Sequence, residues 1–272
     1  MACSPPLPIF RQPGSPSAVL FLNSSKNISF MTLSPQHDPM GQAIADFFEK
    51  GRCPHRLVVH SHLFDDDEMP VPTLFRTETE MSLLERHALG LCRGRVLDVG
   101  AGTGCHSLVL QARGLDVTAV DISPLSVETM RRRGVHSALC ADFFADSVDE
   151  GFDTLLFLMN GIGIAGRLER LPAFFERAKA LLAGGGQILF DSSDLRYVFE
   201  DEDGVFIPEP DEPYYGEVDF SMQYGKVKGP FFDWLYVDFD TLKAQAAAAG
   251  LRAELLMEGN HYDYLARLQM AD

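Results

Sequence analysis

Residues 96–104 read Val-Leu-Asp-Val-Gly-Ala-Gly-Thr-Gly, an apolar run ending in a turn with glycines at 100, 102 and 104. Glycine takes positive φ freely and lets a ligand come close to the main chain. A dinucleotide site expects G-x-G-x-x-G, because its pyrophosphate rests on the next helix N-terminus. Here the spacing is G-x-G-x-G, and Cys105 stands where the third dinucleotide glycine would fall. Asp98 lies two positions before the first glycine. A carboxylate there faces a pyrophosphate unfavourably and suits an ammonium cation, directly or through water. Asp121 ends the next apolar run, 23 residues after Asp98. A carboxylate at that point can accept both hydroxyls of a ribose. Asp142 follows a third run, where it can accept an adenine amino hydrogen, and Phe143 offers a ring near the base. Taken singly, each acid has an ordinary alternative: a helix cap for Asp98, a strand-end turn for Asp121. Three in order at regular spacing point to a nucleoside ligand.

These three loops resemble the successive cofactor motifs of class I S-adenosylmethionine-dependent methyltransferases, over roughly residue 77 to the C-terminus. The resemblance implies an α/β fold: a Rossmann-like, seven-stranded, mostly parallel sheet with helices on both faces and the last strand antiparallel. It implies S-adenosyl-L-methionine as cofactor, held by Asp98, Gly100, Ala101, Gly102, Gly104, Asp121, Ile122, Asp142 and Phe143. It also places the loop over residues 157–166 beside the reactive methyl, which makes Asn160 a candidate; the alternative is a glycine-rich turn without a substrate role. The Asn/Asp-Pro-Pro-aromatic signature of adenine- and glutamine-methylating enzymes is absent there. Arg76 is expected to pair with the cofactor carboxylate, as an N-terminal arginine does in related enzymes; the alternative is a solvated surface arginine. The expected activity is in-line methyl transfer to nitrogen or oxygen of a small molecule. Two other readings stand beside it: a non-catalytic module that binds S-adenosylmethionine, and a nicotinamide-dependent oxidoreductase, which the glycine spacing disfavours.

If the acceptor must lose a proton, a base is needed. The candidates are His60, Asp191 and Tyr214. His60 and His62 lie two apart, so on a strand they share a face; no third ligand has metal-site spacing, and no metal is expected. Asp191 opens Asp-Ser-Ser-Asp at the end of a fifth apolar run, on the cofactor edge. Tyr214 belongs to an aromatic set with Tyr215, Tyr224, Trp234 and Tyr236. That set either roofs the pocket or forms a small satellite core.

The elements that must position these residues follow from periodicity. Strands are expected at 95–99, 116–121, 136–141, 153–159 and 187–191, alternating with helices at 104–113, 125–133 and 171–182. Residues 195–213 are acidic and hold three prolines, so they read as a long loop. Residues 218–224 and 231–237 flank Gly-Lys-Val-Lys-Gly as a β-hairpin, a helix follows at 241–249, and strands at 252–257 and 264–270 close the chain. Upstream, 40–50 reads as a short helix and 57–64 as a strand. Thr77 with Glu80 forms a capping box opening a helix through Leu91. Residues 1–38 read as a disordered or non-native extension, and Met31 offers an alternative start that leaves open whether 1–30 are native. Residues 39–94 then form an N-terminal helical lid and 95–272 the cofactor-binding domain, with the hairpin inserted at about 195–238.

Composition limits the partners. The 272 residues carry 23 Lys plus Arg against 39 Asp plus Glu, a net charge of −16. Such a surface repels phosphate backbones, so a nucleic-acid partner is not expected, and a neutral or cationic small substrate suits the field better. Five scattered cysteines, with no CxxC, fit a reducing cytoplasm. No apolar run nears the roughly 20 residues a membrane helix needs. Oligomeric state is not legible.

Overall fold

The computed structural model describes residues 32–201, 205–206 and 212–271. Strands β3 (Arg95–Val99), β4 (Asp116–Asp121), β5 (Ser137–Cys140), β6 (Phe152–Phe157), β7 (Leu182–Ser193), β11 (Leu251–Glu258) and β12 (Asp263–Met270) form a seven-stranded sheet. Its order is β11-β12-β7-β6-β3-β4-β5. The pairs from β5 through β7 are parallel, whereas β12 runs antiparallel to both β7 and β11. The expected Rossmann-like sheet is therefore present, with its last strand reversed. Adjacent residues on β3 point to opposite faces. Val96 packs with Leu84, Ala88 and Leu110, and Leu97 packs with Phe174, Phe175 and Leu242. Helices α2 (Leu83–Leu91) and α3 (Cys105–Ala112) thus cover one face, and α5 (Leu171–Leu181) and α7 (Phe239–Ala248) the other.

A second sheet carries the remaining strands. Strand β1 (Leu57–His60) pairs with β2 (Asp67–Glu68) on one side and β8 (Glu217–Tyr224) on the other; β8 also pairs with β9 (Val227–Lys228) and β10 (Phe232–Leu235). The lid expected to be helical over 39–94 is therefore mixed, and the inserted hairpin is not freestanding. Pairing between segments about 160 residues apart leaves no local signal, which is why periodicity separates them.

Several boundaries differ from expectation; β1 stops at His60 and β7 begins at Leu182. Residues 33–38, read as extension, belong to the fold: Leu33 N donates to Ile122 O at 2.8 Å, and Asp38 is fully buried. Asp38 caps α1 (Pro39–Lys50) by accepting from Gly41 N at 2.8 Å, and also accepts from the Ser123 hydroxyl. The remainder of that extension, up to Met31, lies outside the described residues. The Thr77–Glu80 box opens a single 3-10 turn (Glu78–Glu80); α2 starts later, under a second box made by Ser82 and Glu85. In the long loop, Arg196–Phe199 forms a short helix, α6; part of that loop lies outside the described residues. Among the described residues, no helix is long and apolar enough to cross a membrane.

Candidate active site

The chain leaves β3 for β4 on one side and returns to β6 on the other, so the sheet's switch point lies at β3, where open α/β sheets bind ligands. Here the turn after β3 and the end of β4 form one hydrogen-bonded unit. Gly100 N and Ala101 N donate to Val120 O at 2.9 and 3.1 Å. Gly102 N donates to Asp121 Oδ2 and Ser123 N to Asp121 Oδ1, both at 2.8 Å. Gly100 and Gly102 hold φ of +70° and +56°, and a Cβ on either would meet no atom within 4 Å. Their outer side is open. Burial pushes Asp121 up to about 6, against those two N–H bonds, and the charges of Asp38 and Asp98 add to the rise. A carboxylate oxygen has two lone-pair sites, so each Asp121 oxygen keeps one for a ligand hydroxyl. Next along the edge, Ile122 is 40% exposed, an apolar side chain beside the ribose-type acid.

Other expected cofactor residues are placed differently. Ala101 packs with Val127 and Met130, and a Cβ on Gly104 would overlap Val135; both serve helix packing. Asp142 is half-buried and its Oδ1 accepts from Phe144 N at 2.9 Å. Phe143, expected beside the base, is instead in the core, its ring 5.2 Å from Phe157 and 5.3 Å from Phe174. The Phe157 ring at the end of β6 and the Phe174 ring on α5 outcompete a ligand for it.

Asp98 is buried and accepts from the Ser107 hydroxyl at 2.5 Å; burial raises its pKa. Beside it lies a buried cationic pair that the sequence did not connect. Arg76 donates from Nε to Glu85 Oε1 at 3.0 Å and from Nη1 to Thr73 O at 2.7 Å. His106 Nε2 lies 2.8 Å from the same Glu85 oxygen. Burial pushes Glu85 upward, yet His106 and Arg76 outweigh it and hold the carboxyl at about 2. Burial also opposes charging of His106, but Cys105, Glu85 and Asp98 raise it well above its ordinary value. Arg76 is thus a buried, paired arginine rather than a surface one. The signal for Glu85 was present as Ser82-x-x-Glu85, a second capping box.

Asp191 lies near the end of β7, partly exposed between buried neighbours. Its Oδ1 accepts from Asn160 N at 2.8 Å, and burial lifts the carboxyl to about 7, with the Glu85 charge contributing. Met159 and Asn160 both hold left-handed backbone, φ +63° and +56°. Such conformations persist where surroundings over-determine them. Here the Asn160 amide is committed: Nδ2 donates to Leu235 O at 3.1 Å and Oδ1 accepts from Ser192 Oγ at 2.9 Å. It joins β10 to β7 and presents Asp191, rather than offering its side chain to a cofactor.

The other two candidate bases stand apart. His60 Nδ1 pairs with Asp66 at 2.7 Å, and its Nε2 is buried without a partner. His62 lies beyond the strand end and pairs with Asp219 while stacking on Phe231, so the two imidazoles have separate partners. Tyr214 donates to Asp238 Oδ2 at 2.6 Å and accepts from Asp238 N at 2.9 Å; burial pushes its phenol up, away from service as a base.

The residues present fit an adenosyl sulfonium. Open glycine backbone, the exposed apolar side chain of Ile122, the strand-end carboxylate of Asp121 and a buried acid–cation cluster lie on one sheet edge. Comparison with known proteins agrees. A family model described as "Methyltransferase domain" matches residues 96–186. A ubiquinone biosynthesis O-methyltransferase of Xanthomonas oryzae pv. oryzae is 30% identical over 107 residues, 38% of this chain and 45% of that protein. The chain thus spans about half the length of the curated relatives it matches. The structure of the CcbJ methyltransferase from Streptomyces caelestis shares the fold at 14% identity and a TM-score of 0.55, over 86% of this chain and 98% of that one. A S-adenosylmethionine-dependent methyltransferase from Bacteroides fragilis, solved with S-adenosyl-L-homocysteine, is 54% identical, with a TM-score of 0.85 over 90% of this chain and 100% of that one. With that identity over nine tenths of its length, the chain belongs to the S-adenosylmethionine-dependent methyltransferases.

Proposed function

We propose that the protein is an enzyme that methylates a small molecule, on nitrogen or oxygen, with S-adenosylmethionine as donor and Asp191 as proton acceptor. The observation that carries this is the part-buried Asp191 carboxylate, which accepts from Asn160 N at 2.8 Å and lies on the same sheet edge as the open Gly100–Gly102 turn; burial lifts it to about 7. When bound, the cofactor supplies a methyl group on a sulfonium, whose neutral leaving group makes positioning the main task. Asp121 holds the ribose, with Gly102 and Ser123 fixing its orientation. Asp98 faces the ammonium end, and Arg76, fixed by Glu85, lies where it can meet the methionine carboxylate. That the Bacteroides fragilis relative was solved with S-adenosyl-L-homocysteine supports the cofactor in this reading. Asp191 takes the acceptor's proton if it has one to lose. The strongly negative overall charge suits neutral or cationic acceptors. Four free cysteines among the described residues fit a cytoplasmic, reducing location.

The test has two parts. Titration calorimetry with S-adenosylhomocysteine and with NAD is expected to show binding of the first alone. A mass-spectrometric search of cell extract treated with enzyme and S-adenosylmethionine is expected to reveal a new product 14 mass units heavier than its precursor. Binding of the nucleoside without any such product would favour the non-catalytic reading.

A further inference from the structure

Hydrogen bonds tie the cluster of Arg76, Glu85 and His106 to the glycine turn. Thr103 Oγ1 donates to Leu74 O, two residues before Arg76. Ser107, the residue after His106, donates from its hydroxyl to Asp98 at 2.5 Å, at the other end of the turn. Within the cluster, donors outnumber acceptors. Glu85 Oε2 accepts from Ser82 N at 2.8 Å. Glu85 Oε1 is approached by Arg76 Nε at 3.0 Å, by Arg76 Nη2 and by His106 Nε2 at 2.8 Å. A carboxylate oxygen has two lone-pair sites, so three donors compete for two. His106 Nε2 also lies 3.3 Å from Arg76 Nη2. Glu85 is ionised and only accepts, so the hydrogen on Nε2 points to it, and that nitrogen offers Arg76 no lone pair. Of the five Arg76 N–H groups, two turn to Oε1 and one, on Nη1, to Thr73 O at 2.7 Å. The other two find no acceptor among the described residues, although Arg76 is only 8% exposed and His106 5%. Buried charged donors left unmatched are costly, so this arrangement favours a second anion.

We propose, resting on the methyltransferase reading above, that the unmatched Arg76 donors receive the α-carboxylate of the cofactor's methionine end, and that His106, as an imidazolium, is the positioning residue that frees them. It acts through Glu85 and does not touch the ligand. By taking a share of Oε1 it keeps Glu85 from neutralising Arg76 alone. The charges then balance: two cations, Arg76 and His106, meet two carboxylates, Glu85 and that of the ligand, while Asp98 is left to the ammonium. The groups that face His106 are Glu85 from α2, Arg76 from the segment before it, Asp98 from β3, Asp191 from β7 and Cys105 on its own helix. Cys105, Glu85 and Asp98 favour its charged form against the cost of burial. A neutral side chain at position 106 would leave Arg76 and Glu85 as a closed pair, with no surplus charge for a carboxylate.

Two ligands that differ only in the carboxylate test this. The full chain is titrated calorimetrically with S-adenosylhomocysteine and with its decarboxylated analogue, which keeps the adenosine and the ammonium. The wild type is expected to bind S-adenosylhomocysteine at least about tenfold more tightly, the size of one charged hydrogen bond. His106→Gln keeps an N–H for Glu85 and removes the charge. It is expected to weaken S-adenosylhomocysteine about tenfold and to leave the analogue within about twofold, so that the preference collapses. His106→Asn takes its place should that variant fail to fold. A histidine that only packs would weaken both ligands alike. Equal weakening, an unchanged preference in the variant, or a wild type that holds both ligands equally overturns the proposal. Failure of S-adenosylhomocysteine to bind the wild type at all would instead overturn the functional reading beneath it.

Discussion

In the proposed site Asp121 serves both the turn and the ligand. Its oxygens accept from the Gly102 and Ser123 amides, and each has a second lone pair that the proposal gives to ribose. Asp121→Ala is therefore expected to weaken S-adenosylhomocysteine binding by roughly 1–3 kcal/mol, through lost charged hydrogen bonds; calorimetry reads this, and unchanged affinity would count against the role. Asp191 gives a second test at this scale. Its folded-state pKa is raised to about 7, so the fold favours its protonated form. Ionisation then costs stability, a cost that begins above the ordinary aspartate value near 4 and is complete above about 7. Asp191→Asn removes it, so the variant's gain in Tm over wild type should be larger at pH 8 than at pH 4.5. An equal difference at both values would contradict the assigned protonation. The positions of Asp98, Asp121 and Asp142 at or near the ends of β3, β4 and β5 were legible because each strand is a local apolar run. The pairing of Glu85 with His106 was not, because it depends on neighbours from other elements. Phe143 was misplaced because an aromatic after a βα acid reads the same whether it faces a base or the core.

Helix α2 shows how local signals compete. Two capping boxes stand five residues apart, and the second governs the helix. Ser82→Ala is expected to cost about 1 kcal/mol in urea denaturation, and Thr77→Ala less, because its box closes only one exposed turn. Equal losses would place the helix start where the sequence suggested it. Several contacts fix the lid sheet to the body, among them the pairing of Arg167 with Glu217 and Asp233. Asn160 bonds Leu235 and Ser192, and Gly163 lies so close to the Trp234 indole that a Cβ would overlap it. Gly163→Ala is expected to destabilise by about 1–3 kcal/mol through overpacking, and a variant as stable as wild type would show that β10 shifts freely. Alternating βα units were readable since each strand and helix is a local pattern. The lid sheet was not, since β1 and β8 meet only in the folded chain.

For the molecule as a whole, strand order decides the chemistry. The reversal at β3 gathers the ends of β3, β4, β6 and β7 on one edge, and the glycines, Asp121, Asn160 and Asp191 with them. The N-terminal segment closes over that edge through Leu33 and Asp38, the latter shared by the capped starts of α1 and α4 (Pro124–Arg133). Composition had assigned those residues to an extension, because a short Pro- and Ser-rich stretch looks the same whether or not it is anchored. The most direct check is calorimetric titration of the full chain with S-adenosylhomocysteine, with NAD in parallel. The account expects one nucleoside bound per chain and no heat from NAD. Absence of S-adenosylhomocysteine binding, or equal binding of NAD, would contradict it.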